Sequence, residues 1–472
     1  MGSLARVTRR VRSGRFADEG AVDERASHPP TPLTWLAGAL GVAVCLGATR
    51  IGADARWLAA VGASIAHAGS LPHGIAYAAV PSAGWHDAPA LGQLVFHACQ
   101  SLAGDRGLVA AQALAVAVAL AALAADLRAA RVKDGMGALV LLAVVAATPG
   151  AFFVAWAELF SLALFPVLVL LLRSEAREPS RRIWLVVPLL VLWANLHGGA
   201  LVGAAVLGVY LVFERARRAP LEAAAVLMAS GLSLLATPAL LHTVDYYAGV
   251  LGNAAATEGY GFWAPLSLHR PSDLLFLVVA VPLLAAAVRS RPKSWELALL
   301  LVLCIASARA SRNEIWLVLF AAVPAARAFG LPSRKLVSSR ILAAVATLPL
   351  LVGATGLVRP LPHDGAGSRL LDRAAFLAAG SPVLAEPYNA ELLALRGTRI
   401  WIGNPLDAFP RPEQRLYVAW LLGSPAGDAI LRKSVSVVLV DRGGAPARRL
   451  ASDARFREVA RDDAAVLYAA RT

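Results

Sequence analysis

The sequence predicts an α-helical polytopic membrane protein that ends in a small α/β domain, on three observations. The 472 residues are 58% hydrophobic and only 16% charged, with a mean hydropathy of +0.61, which leaves too little polar surface to close a soluble globule. Apolar runs that suit a bilayer recur from Leu33 to Val358. Arginine and lysine crowd into every second gap between them, the pattern of cytoplasmic loops.

In chain order, a basic tail over residues 1–32, with Arg6, Arg9, Arg10, Arg12 and Arg15, comes before the first apolar run. Spans are expected at 33–49, 107–127, 135–149, 152–172, 183–196, 200–213, 220–241, 272–288, 294–308, 314–326 and 341–358. That is about eleven crossings, several of them short of the roughly 20 residues an apolar helix needs. Basic clusters at Arg128/Arg131/Lys133, Arg173/Arg177/Arg181/Arg182, Arg215/Arg217/Arg218, Arg289/Arg291/Lys293 and Arg327/Arg334/Lys335/Arg340 mark the cytoplasmic returns. Residues 88–103 are apolar enough to span, but counting them would put Arg128, Arg131 and Lys133 outside. They are expected as a helix on, or dipping into, the outer face within a long first extracytoplasmic loop, 50–106. The odd total places the N-terminus in the cytoplasm and the chain beyond Val358 outside it, with the protein expected as a multi-pass protein of the cell (inner/plasma) membrane.

The net charge of +14 and pI near 10.5 do not point to nucleic acid, because the excess sits in loops flanking spans, facing anionic lipid. Cys45, Cys99 and Cys304 fall in apolar segments without paired spacing, so neither a disulfide framework nor a metal knuckle is implied. The first span reads as an uncleaved anchor, with a signal peptide as the alternative.

Beyond Val358 a Pro/Gly-rich link leads into about a hundred residues of mixed pattern. Strands are expected at Pro382–Pro387, Arg399–Gly403 and Ser436–Asp441, and helices at Ala390–Arg396, Pro412–Leu422, Ala426–Arg432 and Ala445–Phe456. Glu458–Ala460 and Ala464–Ala469 pair as a hairpin across Arg461-Asp462-Asp463. This is a small extracytoplasmic α/β domain, 359–472, with no phosphate-cradling glycine loop after a strand.

Chemistry in a membrane protein shows as costly polar residues at one face. The outward gaps hold Arg50, Asp54 and Arg56, then His73 and Trp85-His86-Asp87, then Trp156 and Glu158. Further along come Trp193-Ala194-Asn195-Leu196-His197-Gly198-Gly199, then Asp245, Tyr246, Tyr247, Glu258 and Trp263, and finally Arg309, Arg312, Asn313 and Glu314. Each has a bland reading beside the functional one. Asp54 suits an N-cap before Ala55 as well as a catalytic base. Glu158, among apolar neighbours, needs a partner or a task. His197 suits hydrogen bonding to exposed carbonyls, and Arg309 and Arg312 suit either snorkelling or anion binding.

This layout of an outer acid after the first span, a long loop with surface helices, a second outer acid and an extracytoplasmic tail resembles the GT-C superfamily of polyprenyl-phosphate-dependent glycosyltransferases. The Trp193–Gly199 stretch and the Ser311-Arg312-Asn313-Glu314 turn are similar to those of a group of bacterial multi-pass GT-C-like proteins. So are Glu386-Pro387-Tyr388-Asn389 and Ile400-Trp401-Ile402-Gly403 in the tail. Two departures stand out: Trp156-Ala157-Glu158 where the group often has Arg-Pro, and Gly403-Asn404-Pro405 where it often has Asp-x-Arg.

The resemblance implies a GT-C-like transmembrane domain, 33–358, transferring sugar from a polyprenyl-phosphate donor to an extracytoplasmic glycan, lipid or protein. It implies Asp54 and Glu158 as catalytic acids, Asp54 matching the first-loop acid and Glu158 the second. Arg309 and Arg312 would bind the lipid phosphate through forked donors, with His86, Asp87, Asn195 and His197 as further candidate substrate-binding residues. The two acids admit a divalent ion without establishing one. Membrane lipid and the lipid-linked sugar are the expected partners. The alternative is a non-catalytic scaffold or a polymer-assembly or transport protein; a transporter would want midplane charges and inverted repeats, which the sequence does not show.

Overall fold

The computed structural model describes residues 31–82, 84–328, 347, 349–356, 361, 365–433 and 435–471. The basic tail, the Arg334/Lys335/Arg340 cluster and half of the span expected at 341–358 lie outside these residues; 347 and 349–356 are helical. The membrane part is built from α1 Pro32–Ala48, α2 Ala55–Ala68, α3 Ala90–Ala103, α4 Asp105–Ala129, α5 Asp134–Ala147, α6 Pro149–Phe152, α7 Leu159–Arg177 and α8 Val186–Leu196. It continues with α9 Ala200–Tyr210, α10 Pro220–Ser233, α11 Thr243–Gly252, α12 Ala254–Glu258, α13 Pro271–Arg289, α14 Ser294–Arg309 and α15 Glu314–Ala328.

Among the described residues, α4, α7 and α13 are long and apolar enough to cross a membrane, while α1, α5 and α10 are apolar but shorter. The eleven-residue helices α8 and α9 each rise about 16 Å, roughly half of a hydrocarbon core of ~30 Å. The expected span at 152–172 begins as helix only at Leu159, because the preceding residues fold into the single turn of α6 and a short strand. The run 220–241 ends as helix at Ser233, before Thr237-Pro238, where proline disfavours helix in the residue before it.

Helix α15 is the centre of the bundle. From Glu314 to Ala326 every residue is buried, as expected of a helix that is apolar on all sides, and α4, α5, α7, α13 and α14 pack around it. At one end of this core the basic residues do more than mark topology. Arg173, 2% exposed, donates to Asp126 (2.7 Å), Glu296 (3.0 Å) and the Phe320 carbonyl (2.8 Å). Arg215 pairs with Glu175 and Glu222, Lys293 with Glu214, and Arg327 with Glu296. These cations are held by acids from neighbouring helices, so their expected role as lipid-facing markers is only part of the account.

Two short strands, β1 Arg50–Ile51 and β2 Val154–Ala155, form a parallel pair beside this bundle. The tail domain follows as α16 Ser368–Ala378, β3 Val383–Ala385, α17 Pro387–Ala394, α18 Arg411–Leu421, β4 Val437–Asp441, α19 Ala445–Ala451, β5 Phe456–Arg461 and β6 Ala465–Ala470. Its sheet has the order β3-β4-β6-β5, with β3 parallel to β4 and the other neighbours antiparallel. The β5/β6 hairpin, β3 and β4 lie where the alternating pattern predicts strands. The strand expected over Arg399–Gly403 forms instead as isolated bridges from Ile400 to Val383 and to Ala78 of the first loop. Residues 425–432 form a 3-10 helix. The helix expected to reach Phe456 stops at Ala451, because Phe456 is needed in the sheet core. Helix α16, absent from the expectation, buries Leu370, Leu371, Ala374 and Ala378 on one face.

The first loop and the tail share one core, in which Trp57, Ile75 and Val80 pack with the sheet residues. Backbone bonds Ala79 N–H to Ile400 O (2.8 Å) and Val80 N–H to Trp401 O (3.1 Å) join them. This docking brings tail side chains to the candidate acids.

Candidate functional site

The β1/β2 pairing aligns the two loops that carry the acids. Arg50 lies opposite Val154 and Ile51 opposite Ala155, so Asp54 and Glu158 each stand four residues beyond paired positions. Gly52 extends the ladder through its N–H to Ala155 O at 2.9 Å. A Cβ there would sit 2.6 Å from Val154 Cγ1, so the close approach of the two loops requires glycine.

Asp54 occupies the N-cap position of α2, yet its side chain makes no capping hydrogen bond. Its backbone lies at φ +82°, a conformation that costs a non-glycine residue ~1–3 kcal/mol and that concentrates at functional sites. The bent backbone aims the Asp54 N–H at both carboxylate oxygens of Glu391, at 3.0 and 2.9 Å. Asn404 Nδ2 donates to Asp54 Oδ1 (2.7 Å) and to Glu391 Oε1 (2.8 Å), bridging the two acids. Burial pushes the Asp54 carboxyl up, opposed by a hydrogen bond from Glu391, the charge of Arg312 and the Asn404 amide. Burial and then the charge of Asp54 push Glu391 well above the usual carboxylate range. Burial and their mutual charge thus favour a shared proton on the pair, with the stronger upward push on Glu391.

Neither Glu391 nor Asn404 stands out in the sequence as a site residue. A signal was present: Glu386-Pro387-Tyr388-Asn389 opens α17, and Tyr388 and Glu391, three apart, share a helix face. Tyr388 takes a hydrogen bond from Arg56 Nη1 at 2.6 Å, and Arg56 pairs in turn with Asp105. Asn389, fully buried, ties α17 to Ala366 N and to Asp441 Oδ1, both at 2.8 Å. The motif thus positions the helix that delivers Glu391. Asn404 lies within Gly403-Asn404-Pro405, the tail's departure from the similar group.

Glu158, 6% exposed, faces Arg312, with Oε1 to Nη2 at 3.6 Å. The turn carrying Arg312 is pinned by its neighbours: Asn313 Nδ2 caps Ala306 O (3.0 Å), and Ser311 N–H reaches Ala264 O (3.0 Å). The guanidinium stacks 4.4 Å from the Trp263 ring centroid, which fixes a planar cation well. Arg309, at the end of α14, is exposed and makes no ion pair with these carboxylates among the described residues.

His197 Nδ1 accepts the Gly199 N–H (3.1 Å) and lies 2.6 Å from Ser161 Oγ, which accepts the Trp193 indole N–H (2.7 Å). Accepting a backbone N–H leaves Nδ1 bare, so the ring carries its proton on Nε2 and Ser161 donates. Burial and the charge of Arg312 push its pKa down to about 3. Asn195 spends its amide on Val191 O (2.8 Å) and Ala236 O (2.7 Å), holding the turn. His86 stacks on His242 with centroids 4.0 Å apart. Asp87, 1% exposed, accepts from Gln93 and is pushed up to about 6 by burial and the charge of Asp407. Among the described residues no three His, Cys, Asp or Glu side chains converge on a metal position. The carboxylates are committed to a backbone N–H, an amide and a guanidinium, a donor set that does not fit a divalent-ion cage.

No family model matches the chain, and no curated protein is similar to it. Solved structures are. A point mutant of the arabinofuranosyltransferase AftD from Mycobacteria aligns at 15% identity and TM-score 0.50, covering 94% of this chain and 42% of that one. The chain thus spans under half the length of that protein. ArnT from Cupriavidus metallidurans aligns in its apo state at 13% identity and TM-score 0.43, covering 93% and 97%. The same protein bound to undecaprenyl phosphate aligns at 15% identity and TM-score 0.39, with the same coverage. At 15% identity and TM-score 0.50, the likeness of this chain to AftD is one of fold.

Proposed function

We propose that the chain is an integral-membrane glycosyltransferase that moves a sugar from a polyprenyl-phosphate donor to an extracytoplasmic acceptor. The observation that supports it is the convergence of Asp54, Glu158 and Arg312 at paired loops, closed over by Glu391 and Asn404 of the tail. Asp54 takes the proton of the acceptor hydroxyl. That oxygen bonds to the anomeric carbon as the carbon–oxygen bond to the lipid phosphate breaks. Arg312 binds the phosphate and balances the charge that gathers on it as it leaves. Glu158 holds Arg312 in place, and Glu391, keeping its proton, avoids a second negative charge beside the base.

Titrating the purified protein in nanodiscs with undecaprenyl phosphate tests the cation. Arg312→Gln should weaken binding about tenfold or more, as loss of a charge-assisted contact predicts, while Arg312→Lys, which keeps a partner for Glu158, should retain part of it. Equal affinity in all three proteins would remove Arg312 from the donor site. The orientation is checked separately. A reporter active only outside the cytoplasm, fused after Thr472, should be active, since alternating basic clusters place the tail there; a silent, stably expressed fusion would overturn it.

A further inference from the structure

Near the acids, residues 81–82 and 84–86, α11 and residues 407–410 line an open cavity of about 460 Å³, within the range of small-ligand sites of ~300–1,000 Å³. Trp85 and Tyr246 supply aromatic surface, and Asp407 and Asp245 supply carboxylates. Among the described lining residues there is no arginine or lysine. Trp85 donates its indole N–H to Asp407 Oδ2 at 3.1 Å, which fixes both side chains.

Two lining residues connect the cavity to the site. Tyr246 brings its hydroxyl against Gly198, where a Cβ would lie 2.9 Å away, in the turn that carries His197. The charge of Asp54 acts on Asp407, which burial pushes up to about 6. Asp87, 1% exposed, leaves Oδ1 without a partner among the described residues, and its charge reaches Tyr246.

We propose that this cavity is the acceptor subsite and that its ligand is an uncharged sugar ring, bound against Trp85 and Tyr246 with its hydroxyls donating to Asp407. The inference rests on the glycosyltransferase reading above. Its physical basis is a division of charge across the site: the cation Arg312 serves the donor phosphate, and the acids serve the acceptor. A sugar presents apolar C–H faces that suit aromatic rings and hydroxyl donors that suit an ionised carboxylate, which only accepts. A phosphorylated or carboxylated acceptor would meet the like charge of Asp407 and Asp245, with no arginine or lysine among the described lining residues beside it.

Saturation-transfer NMR of the full chain in nanodiscs tests this, with methyl arabinofuranoside and methyl glucopyranoside as neutral probes and glucose 6-phosphate as the anionic one. The neutral probes should bind and the phosphorylated sugar should bind about tenfold more weakly or worse. Asp407→Asn keeps an oxygen for the Trp85 indole but loses the charge, so it should weaken neutral binding about tenfold and narrow the gap. Tyr246→Phe, which removes only the hydroxyl, should weaken it less. Equal binding of neutral and phosphorylated sugars, or neutral binding untouched by Asp407→Asn, would overturn the subsite. Sugar transfer without probe binding would overturn it while leaving the glycosyltransferase reading intact; probe binding without transfer would overturn that reading, and the acceptor role with it, and leave a sugar-binding cavity.

Discussion

Asp54→Asn should insert and fold as the native chain does and lose sugar transfer by on the order of 10² or more, the contribution of a positioned base. Folding is spared for three reasons. The side chain caps nothing, and the bond to Glu391 comes from the Asp54 backbone N–H, which the substitution keeps. Asparagine also tolerates a positive φ as well as aspartate does, and its carbonyl oxygen can still accept from Asn404 Nδ2. What is lost is the property the reaction needs from this residue, a carboxylate that takes a proton. Turnover per folded molecule, measured with a polyprenyl-phosphate sugar, checks this. Native activity in the variant would sink Asp54 as the base. Glu158→Gln should impair turnover as well, because Arg312 would lose the carboxylate that holds it.

Arg173→Ala should destabilise the bundle by ~3–5 kcal/mol, the cost of breaking a buried ion pair from one side. Arg173 is 2% exposed and joins Asp126 of α4, Glu296 of α14 and the Phe320 carbonyl of α15. Its removal strands two acids that are themselves almost wholly buried. Arg177 and Arg327 touch the same acids at 3.5 and 3.3 Å from more exposed positions and can take up only part of the charge. Unfolding in detergent or bicelles measures the loss. A change under about 1 kcal/mol, the worth of a surface pair, would show that Arg173 acts only as a topology marker. Replacing Arg173, Asp126 and Glu296 together by apolar residues of similar volume should recover much of the stability, since no charge is then left unpaired.

These two expectations differ in how far the sequence reveals them. Asp54 draws attention because an acid at the end of an apolar run is costly. Arg173 does not, because an arginine at a helix end looks the same whether it faces lipid headgroups or an acid on another helix. Glu391 and Asn404 reach Asp54 across 337 and 350 residues of chain. Nothing in the local pattern of α17 or of Gly403-Asn404-Pro405 encodes so distant a partner. The two-residue pairing of β1 with β2 is likewise too short to leave a period.

By itself, the sequence determined the membrane class, the long apolar helices α4, α7 and α13, and β3, β4 and the β5/β6 hairpin of the tail, because burial of apolar surface and backbone periodicity act over neighbouring residues. Only the tertiary structure decided which polar side chains meet: Asp54 with Glu391 and Asn404, Glu158 with Arg312, and Arg173 with two helices' acids. Those meetings depend on the packing of distant segments. In a low-dielectric interior, that packing decides whether a charge is a liability, a strut or a reactive group.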